Sequence, residues 1–334
     1  MKKKILILSA LLLAAVILSL CAGRYPIGVG DILSICTGSH ENEMMRNVFL
    51  KIRLPRVVFS VMAGSALGVS GLVYQELFRN PLVSPDVLGV SGGAGVGAVL
   101  AIVFGLGTAS VTSFALAGGL IAVVLSLILS HFASSGDGVN VSRNVVMVLA
   151  GIVVKALCDS AVMAMKYTAD PTNQLPTIDY WLMGSLQNVR RDDVLTVLPL
   201  CILPMVLLGL MRFRISVLSM GDEDADGLGA EVKLIRYACV VLACVPVAAV
   251  TSVTGVISWV GLIVPHVVRR IFGEGIQNSF PLCLLAGGFF MTLVDTAARS
   301  VSEAEIPISI VTSCAGAVVL CVFLFRNHRK RGAA

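Results

Sequence analysis

Four charged residues inside long apolar runs are the first candidates for chemistry. Lys155 and Asp159 lie four residues apart in VVKALCDSAV, and Asp295 and Arg299 have the same spacing in DTAARS. A charge at the centre of a bilayer costs about 2.5–3.5 kcal/mol on insertion scales, so each group needs a partner or a function. Residues four apart meet on one helix face. The spacing of Lys155 and Asp159 therefore predicts either a structural ion pair or a lysine that lines the pathway and attracts an anionic substrate. Asp295 and Arg299 leave the choice between a structural and a functional role open in the same way.

A glycine-rich run and a lone histidine suggest chemistry that their surroundings do not support. Gly89–Gly97 reads GVSGGAGVG, but a nucleotide-binding loop needs a preceding strand and either GK[ST] or a later acidic residue. Small residues three or four apart, such as Gly92 and Gly95, instead let membrane helices approach closely. His266 follows Pro265 among largely apolar neighbours, which favours a hydrogen-bonded structural histidine in a helix that the proline kinks.

The sequence contains no motif that would predict an enzyme. There is no P-loop and no H-E-x-x-H metal site, and the nine cysteines form no CxxC pair. We therefore expect no catalytic activity, no cofactor and no metal site. The net charge of +5 reflects positive flanks of membrane helices and does not indicate a nucleic-acid surface.

An acidic segment, MGDEDADGLG, occupies residues 220–229. It lies between the basic residues Arg214 and Arg236, which mark two membrane edges. The four acidic residues between Asp222 and Asp226 lie where they would form the first turn of a helix, and the helix dipole favours negative charge there. The residues alone leave a solvated loop and a docking helix for a cytoplasmic partner equally open.

The elements that must position these residues are membrane helices. Hydrophobic residues make up 57% of the 334 and charged residues only 13%, too few to cover a soluble surface. We expect an all-α polytopic membrane protein, one transmembrane domain over 1–334, with about ten spans. The predicted spans are 5–22, 54–77, 87–106, 110–132, 144–167, 193–211, 235–253, 256–271, 281–298 and 307–325. The eighth is short and could also be a re-entrant element.

The distribution of lysine and arginine predicts that both termini are cytoplasmic. The loop at about 212–234 is then cytoplasmic, as is the elbow Asn80–Pro85, whereas the basic cluster Arg46–Arg56 lies on the outer side and needs an explanation. MKKK and the apolar run after it resemble a signal peptide. Leu20 before Cys21 argues against lipoprotein cleavage, and the many downstream spans favour a retained first helix.

Six segments carry a family pattern. They are RLPR at 53–56, QELFRNPLVSPDVLGVSGGAG at 75–95, YWLMGSL at 180–186, MGDEDADGLG at 220–229, GVISWVGLIVPHVVRR at 255–270 and DTAARSVSEAEIPISIVTSCAG at 295–316. In this order they resemble the FecCD-type permeases, the membrane subunits of binding-protein-dependent ABC importers for iron siderophores, haem and cobalamin. The residues of the matching structural motifs are Gln75, Asn80, Pro81, Pro85, Gly92, Gly95, Gly261, Pro265, His266, Asp295, Glu305 and Pro307.

The resemblance implies a transporter that moves an iron chelate, such as a siderophore, across the cytoplasmic membrane by alternating access. Two ten-helix subunits, identical or paralogous, would surround a central pathway. Two ATPase subunits would dock on the cytoplasmic side and a substrate-binding protein on the outer side. Haem and cobalamin stay open as cargo, and an ion-coupled secondary transporter is the competing class.

The resemblance also implies roles for individual residues. The positions that meet the binding protein match Arg53, Arg56 and Arg299, which would explain the outer positive charge. The segment that couples to the ATPase comprises Gly221, Asp222, Glu223, Ala225, Leu228 and Gly229. Ser142 and Arg143 match a cytoplasmic gate, although loosely. Lys155 is atypical for the pathway-lining fifth helix, which keeps a substrate role for it open.

Overall fold

The structure, a computed structural model, describes residues 1–23, 25–39, 42–133, 143–229, 231–273, 275–302 and 304–331. Within these ranges the chain is helical and contains no strand. The helices are α1 (Lys2–Cys21), α2 (Val29–Cys36), α3 (Glu43–Asn47), a π-helix (Val48–Arg53), α4 (Leu54–Leu77), a 3-10 helix (Pro85–Leu88), α5 (Val90–Val103), α6 (Thr108–Ala133), α7 (Arg143–Thr168), α8 (Gln174–Met183), α9 (Arg191–Leu210), α10 (Arg212–Leu218), α11 (Asp222–Gly227), α12 (Val232–Thr254), α13 (Val260–Phe272), α14 (Ile276–Ser300) and α15 (Ile308–Arg331).

Seven helical stretches of the described chain are long and apolar enough to cross a membrane, so this is a multi-pass membrane protein. They are Lys2–Cys21, Glu43–Leu77, Thr108–Ala133, Asn144–Thr168, Arg191–Leu210, Val232–Thr254 and Ile276–Ser300. The other three predicted spans fall on α5, α13 and α15. A helix as short as α13 reaches only about 20 Å, less than the hydrocarbon thickness of a bilayer.

Both α5 and α13 begin later than their apolar runs predict, because the backbone breaks first. Gly89 adopts a left-handed conformation with φ 77° directly before α5. Trp259 does the same before α13 with φ 71°, which is rare for a residue with a side chain. At this break Pro85 of the 3-10 helix packs on Gly261, so the two short helices begin beside each other.

The core is formed by α4 together with α12, α13 and α14. A methyl group on Gly64 would overlap the carbonyl oxygen of Gly287 in α14, and one on Gly71 would overlap the backbone of Gly261 in α13. Glycine at both crossings therefore lets the backbones touch, as small residues do between membrane helices. The peripheral helices α1, α6, α7 and α9 leave most of their apolar side chains uncovered by the chain itself.

Replacing Gly71 by alanine should destabilise the core, because the new methyl group has no space against Gly261. We expect a loss of about 1–3 kcal/mol, the usual range for overpacking. Thermal unfolding of the detergent-solubilised protein measures it. Gly30→Ala is the matched control, since a methyl group there meets no neighbour; equal melting temperatures for the two variants would contradict the close crossing.

Candidate functional site

Arg56 binds two carboxylates at the start of α4. Its Nε lies 2.9 Å from Oδ1 of Asp295, and its Nη1 and Nη2 each lie 2.9 Å from one carboxylate oxygen of Glu305. The Asp295 side chain is fully buried, and that of Arg56 is 7% exposed. Bidentate, charge-assisted contacts of this kind are the stronger hydrogen bonds. They fasten α4 to α14 and to the segment that leads into α15.

The two other predicted docking arginines bind the C-terminal end of α1. Arg53 donates to the carbonyl oxygens of Leu20 at 2.7 Å and Cys21 at 3.0 Å. Arg299 donates to the carbonyl oxygen of Ala22 at 2.8 Å. The last carbonyl groups of a helix carry partial negative charge and have no partner within the helix. These guanidinium groups supply that partner and tie α1 to α4 and α14.

We refer to Arg53, Arg56, Asp295, Arg299 and Glu305 as the arginine cluster. Asp295 lies between two of its cations, because its Oδ2 is also 3.5 Å from Nε of Arg299. The arginine residues are 5–8% exposed, whereas the Glu305 side chain is 17% exposed. The docking role stays a prediction. In this conformation a partner would meet Glu305 before it met the guanidinium groups.

The predicted coupling segment contains a short helix, α11 (Asp222–Gly227). Gly221 precedes it with φ 139°, and Gly229 follows it with φ 77°, so glycine permits the turn at each end. Ala225 is fully buried against the core, whereas Leu228 is 66% exposed. The helix is therefore fixed on one side and presents acids and a leucine on the other.

Arg236 of α12 binds the first residue of α11. Its Nη1 lies 2.8 Å from Oδ2 of Asp222, and its Nη2 pairs with Oδ1. The Arg236 side chain is 1% exposed and that of Asp222 is 46% exposed. Sequence reasoning treated Arg236 only as a membrane-edge charge. It missed this pair because the partner lies across a turn in a different helix.

Lys155 has an ion-pair partner, but the partner is Asp86 and not Asp159. Nζ of Lys155 lies 2.9 Å from Oδ2 of Asp86, whose Oδ1 accepts a hydrogen bond from the Ser91 amide at 3.0 Å. Asp159 is exposed. The interpretation as a structural pair with Asp159 is therefore wrong in its partner, because the α4–α5 connection folds back and brings a carboxylate beside the middle of α7. The Lys155 side chain is 41% exposed, and its pathway role stays a prediction.

One of the two gate candidates lies at the start of α7. Arg143 is the first residue of that helix, and Ser142 lies outside the described residues. The neighbouring Asn144 donates from its side-chain amide to the carbonyl oxygen of Leu77 at 3.2 Å. The beginning of α7 is thus tied to the end of α4, and the gate role itself stays a prediction.

The motif residues at the far end of α4 link it to α13. The side-chain oxygen of Gln75 accepts a hydrogen bond from Arg269, and its amide donates to the carbonyl oxygen of Leu262 at 3.3 Å. Arg269 also lies 3.4 Å from the carboxylate of Glu76. Because Arg269 contacts two residues of α4, the end of α13 is fastened to the end of α4.

The remaining motif residues shape connections between helices. Asn80 closes the turn that contains Pro81, since its side-chain oxygen accepts a hydrogen bond from the amide of Leu82 at 2.9 Å. Pro265 is buried inside α13 and His266 is partly exposed beside it. Pro307 directly precedes α15. None of these contacts requires a bound ligand.

A cavity of about 440 Å³ lies between α8, the α5–α6 turn and the end of α12. Tyr180 and Trp181 of α8 line it together with Asn173, Gln174 and Thr254, and no charged side chain is among the described residues that line it. We refer to this cavity as the α8 pocket. Sequence reasoning noted the segment YWLMGSL but did not expect a cavity there. In the described part of the chain, no three His, Cys, Asp or Glu side chains are grouped to hold a metal ion.

Comparison with known proteins gives one consistent result. The FecCD transport family matches residues 11–326. The chain is similar to the molybdate import system permease protein MolB of Haemophilus influenzae, with 33% identity over 96% of this chain and 95% of MolB. It is also similar to the hemin transport system permease protein HmuU of Yersinia pestis, with 36% identity over 87% of this chain and 86% of HmuU.

A solved structure supports the same relationship. It is described as an inward-facing conformation of a metal-chelate type ABC transporter and matches with a TM-score of 0.88. The identity is 31%, and the match covers 98% of this chain and all of that chain. The family resemblance that the motifs predicted is confirmed over nearly the whole length.

Replacing Asp295 by asparagine should destabilise the fold, because Arg56 and Arg299 would keep their charge without a carboxylate between them. Breaking a buried pair in this way costs about 3–5 kcal/mol. Asp192→Asn, at an exposed position in α9, is the control and should change stability by about 0.5 kcal/mol or less. Thermal unfolding in detergent compares the two, and equal melting temperatures would exclude a structural role for Asp295.

Proposed function

Because this chain belongs to the FecCD transport family, we propose that it is the permease subunit of a binding-protein-dependent ABC importer in the cytoplasmic membrane. It performs no chemistry itself. Two separate ATPase subunits drive alternating access, and a substrate-binding protein delivers the cargo. A second permease subunit, identical or paralogous, completes the pathway and covers part of the apolar surface of the peripheral helices.

The observation that carries the proposal is the placement of α11. An interface for an ATPase needs a short element that projects from the membrane domain and is firmly connected to it. Ala225 is fully buried and Arg236 holds Asp222, so α11 is anchored, while Leu228 and the acids remain exposed. An exposed leucine beside acids suits a cleft with an apolar floor and basic edges.

The contacts of α1 support a topology with ten crossings and cytoplasmic termini. Nζ of Lys4 donates to the carbonyl oxygen of Phe272 at 2.8 Å, so the start of α1 and the end of α13 lie at one face. The arginine cluster lies at the other end of α1. In this topology the short helices α5 and α13 count as crossings, α11 is cytoplasmic, and the cluster is on the outer side.

The cargo that agrees best with the family is a metal chelate, with a ferric siderophore as the first candidate. Haem or cobalamin is an alternative within the same family. Molybdate is a second candidate class, favoured by the similarity to MolB over 96% of this chain. Lys155 does not decide between them, because Asp86 already offsets its charge.

The competing class, an ion-coupled secondary transporter, has less support. Its coupling carboxylate would have to gain and lose an ion inside the membrane. Asp295 was one candidate, but Arg56 and Arg299 already compensate its charge. The exposed Asp159 is the remaining candidate.

If α11 docks on the ATPase, Leu228→Asp should prevent association of the two subunits, because a charge would enter an apolar contact. Leu228 is exposed, so insertion and melting temperature should not change. Co-purification of the tagged ATPase with the permease measures association. Leu33→Asp, at an equally exposed leucine in α2, is the control, and loss of association in both variants or in neither would contradict the assignment.

The cargo is tested on the cognate binding protein. Titration with a ferric siderophore, haem, cobalamin and molybdate should give submicromolar affinity for one class, expected to be the ferric siderophore. The same compound should then stimulate ATP hydrolysis by the full complex. Tight binding of molybdate alone would replace the iron-chelate proposal by the second candidate.

A further inference from the structure

The helix α12 connects the coupling segment to the α8 pocket. It runs without interruption from Val232 to Thr254, with Pro246 inside it, and two thirds of its span is buried in the chain. At one end, Arg236 binds α11; at the other end, Thr254 lines the α8 pocket. A single continuous helix therefore contacts both the coupling segment and the α8 pocket.

The first joint is the pair of Arg236 and Asp222. Both terminal nitrogens of the guanidinium group contact the two carboxylate oxygens, and the Arg236 side chain is 1% exposed. If α11 moved away alone, it would leave a buried cation without its carboxylate, which is strongly unfavourable. A displacement of α11 is therefore opposed unless the start of α12 moves with it.

The second joint lies where α12 ends. The amide of Ser185, just after α8, donates to the carbonyl oxygen of Thr254 at 2.7 Å. A methyl group on Gly255 would overlap the carbonyl oxygen of Trp181, and one on Gly184 would overlap that of Val256. Both glycines have φ 72°. The backbones after α8 and after α12 are thus in direct contact and leave no space for sliding.

The same joint reaches α15. The amide of Ile308 donates to the carbonyl oxygen of Gly184 at 3.0 Å, and Oγ of Ser309 donates to that of Val256 at 2.6 Å. A shift of the end of α12 must therefore carry the start of α15 and the end of α8.

From these two joints we infer that α12 transmits the movement of α11 to the α8 pocket, with Arg236 as its positioning residue. The inference rests on the proposed function, since it needs an ATPase that moves α11. Displacement of α12 carries the end of α8 with it. It therefore changes the distance from Thr254 and Trp181 to the α5–α6 turn, which forms the opposite wall, and so opens or closes the pocket.

A double-mutant cycle on the reconstituted complex tests the first joint. Asp222→Asn and Arg236→Gln should each lower the stimulation of ATP hydrolysis by loaded binding protein, by about five- to tenfold. The double variant should lose little more than either single variant, and the exchange Asp222→Arg with Arg236→Asp should restore part of the stimulation. If Arg236→Gln does not insert, Arg236→Lys replaces it, since lysine keeps the charge but cannot bind bidentately.

A second cycle provides the matched control. Glu223 neighbours Asp222 on α11, and its side chain has no ion pair with Arg236 in the described contacts. Combining Glu223→Gln with Arg236→Gln should therefore give additive effects. Non-additive effects in this cycle equal to those of the first would overturn the assignment of the joint.

Hydrogen exchange at residues 174–189 reads out the second joint. In the wild-type complex, the hydrogen-exchange rate of this segment should change when a non-hydrolysable ATP analogue is added. In the Arg236→Gln complex this change should be absent. Without nucleotide, the two complexes should exchange at the same rate. If the Arg236→Gln complex keeps the wild-type response to nucleotide, the inference is overturned but the proposed function is not. If its exchange without nucleotide already differs from wild type, Arg236 has a purely structural role and the inference is overturned as well. A wild-type complex without any stimulation overturns the proposed function, and this inference with it.

Discussion

A charge removed from water must meet an opposite charge or the end of a helix, and this requirement determines how the helices are connected. The arginine cluster joins α1, α4 and α14 in this way: Asp295 compensates Arg56 and Arg299, and the last carbonyl groups of α1 accept hydrogen bonds from Arg53 and Arg299. Lys155 with Asp86 and Arg236 with Asp222 apply the same requirement at α7 and at α12. Each pair joins two different elements, so the charges act as connectors between helices.

The second constraint is backbone contact through glycine. At Gly64 and Gly71 no side chain fits, so α4 touches α14 and α13 directly and cannot slide past them independently. Ion pairs at the ends and glycine contacts along the length join α4 to α13 and α14, and the contact at Gly255 joins the end of α12 to the end of α8. The peripheral helices leave most of their apolar side chains uncovered by the chain itself, and this surface is available to lipid and to the proposed second subunit.

The sequence was sufficient for the properties that depend on local composition. Apolar length predicted where the helices lie. The acids after Gly221 left a loop and a short helix equally open until the family resemblance favoured the helix, and the structure forms that helix as α11. The partners of the charges could not be predicted, because they depend on how distant segments meet. Arg56 and Asp295 are 239 residues apart, and Lys155 and Asp86 are 69 apart. Helical spacing offered Asp159 as the nearest partner, and the fold brought a more distant carboxylate closer. The late starts of α5 and α13 were also missed, since an apolar run gives no sign that Trp259 will adopt a left-handed backbone.

The central claim is that cargo crosses the membrane through a permease that an ATPase moves from the cytoplasmic side. Uptake of the bound cargo by vesicles that contain the permease, the ATPase and the binding protein tests this most directly. The account predicts uptake that requires ATP on the ATPase side and continues when ionophores collapse every ion gradient. Uptake that persists without the ATPase and stops when a gradient is collapsed would contradict it.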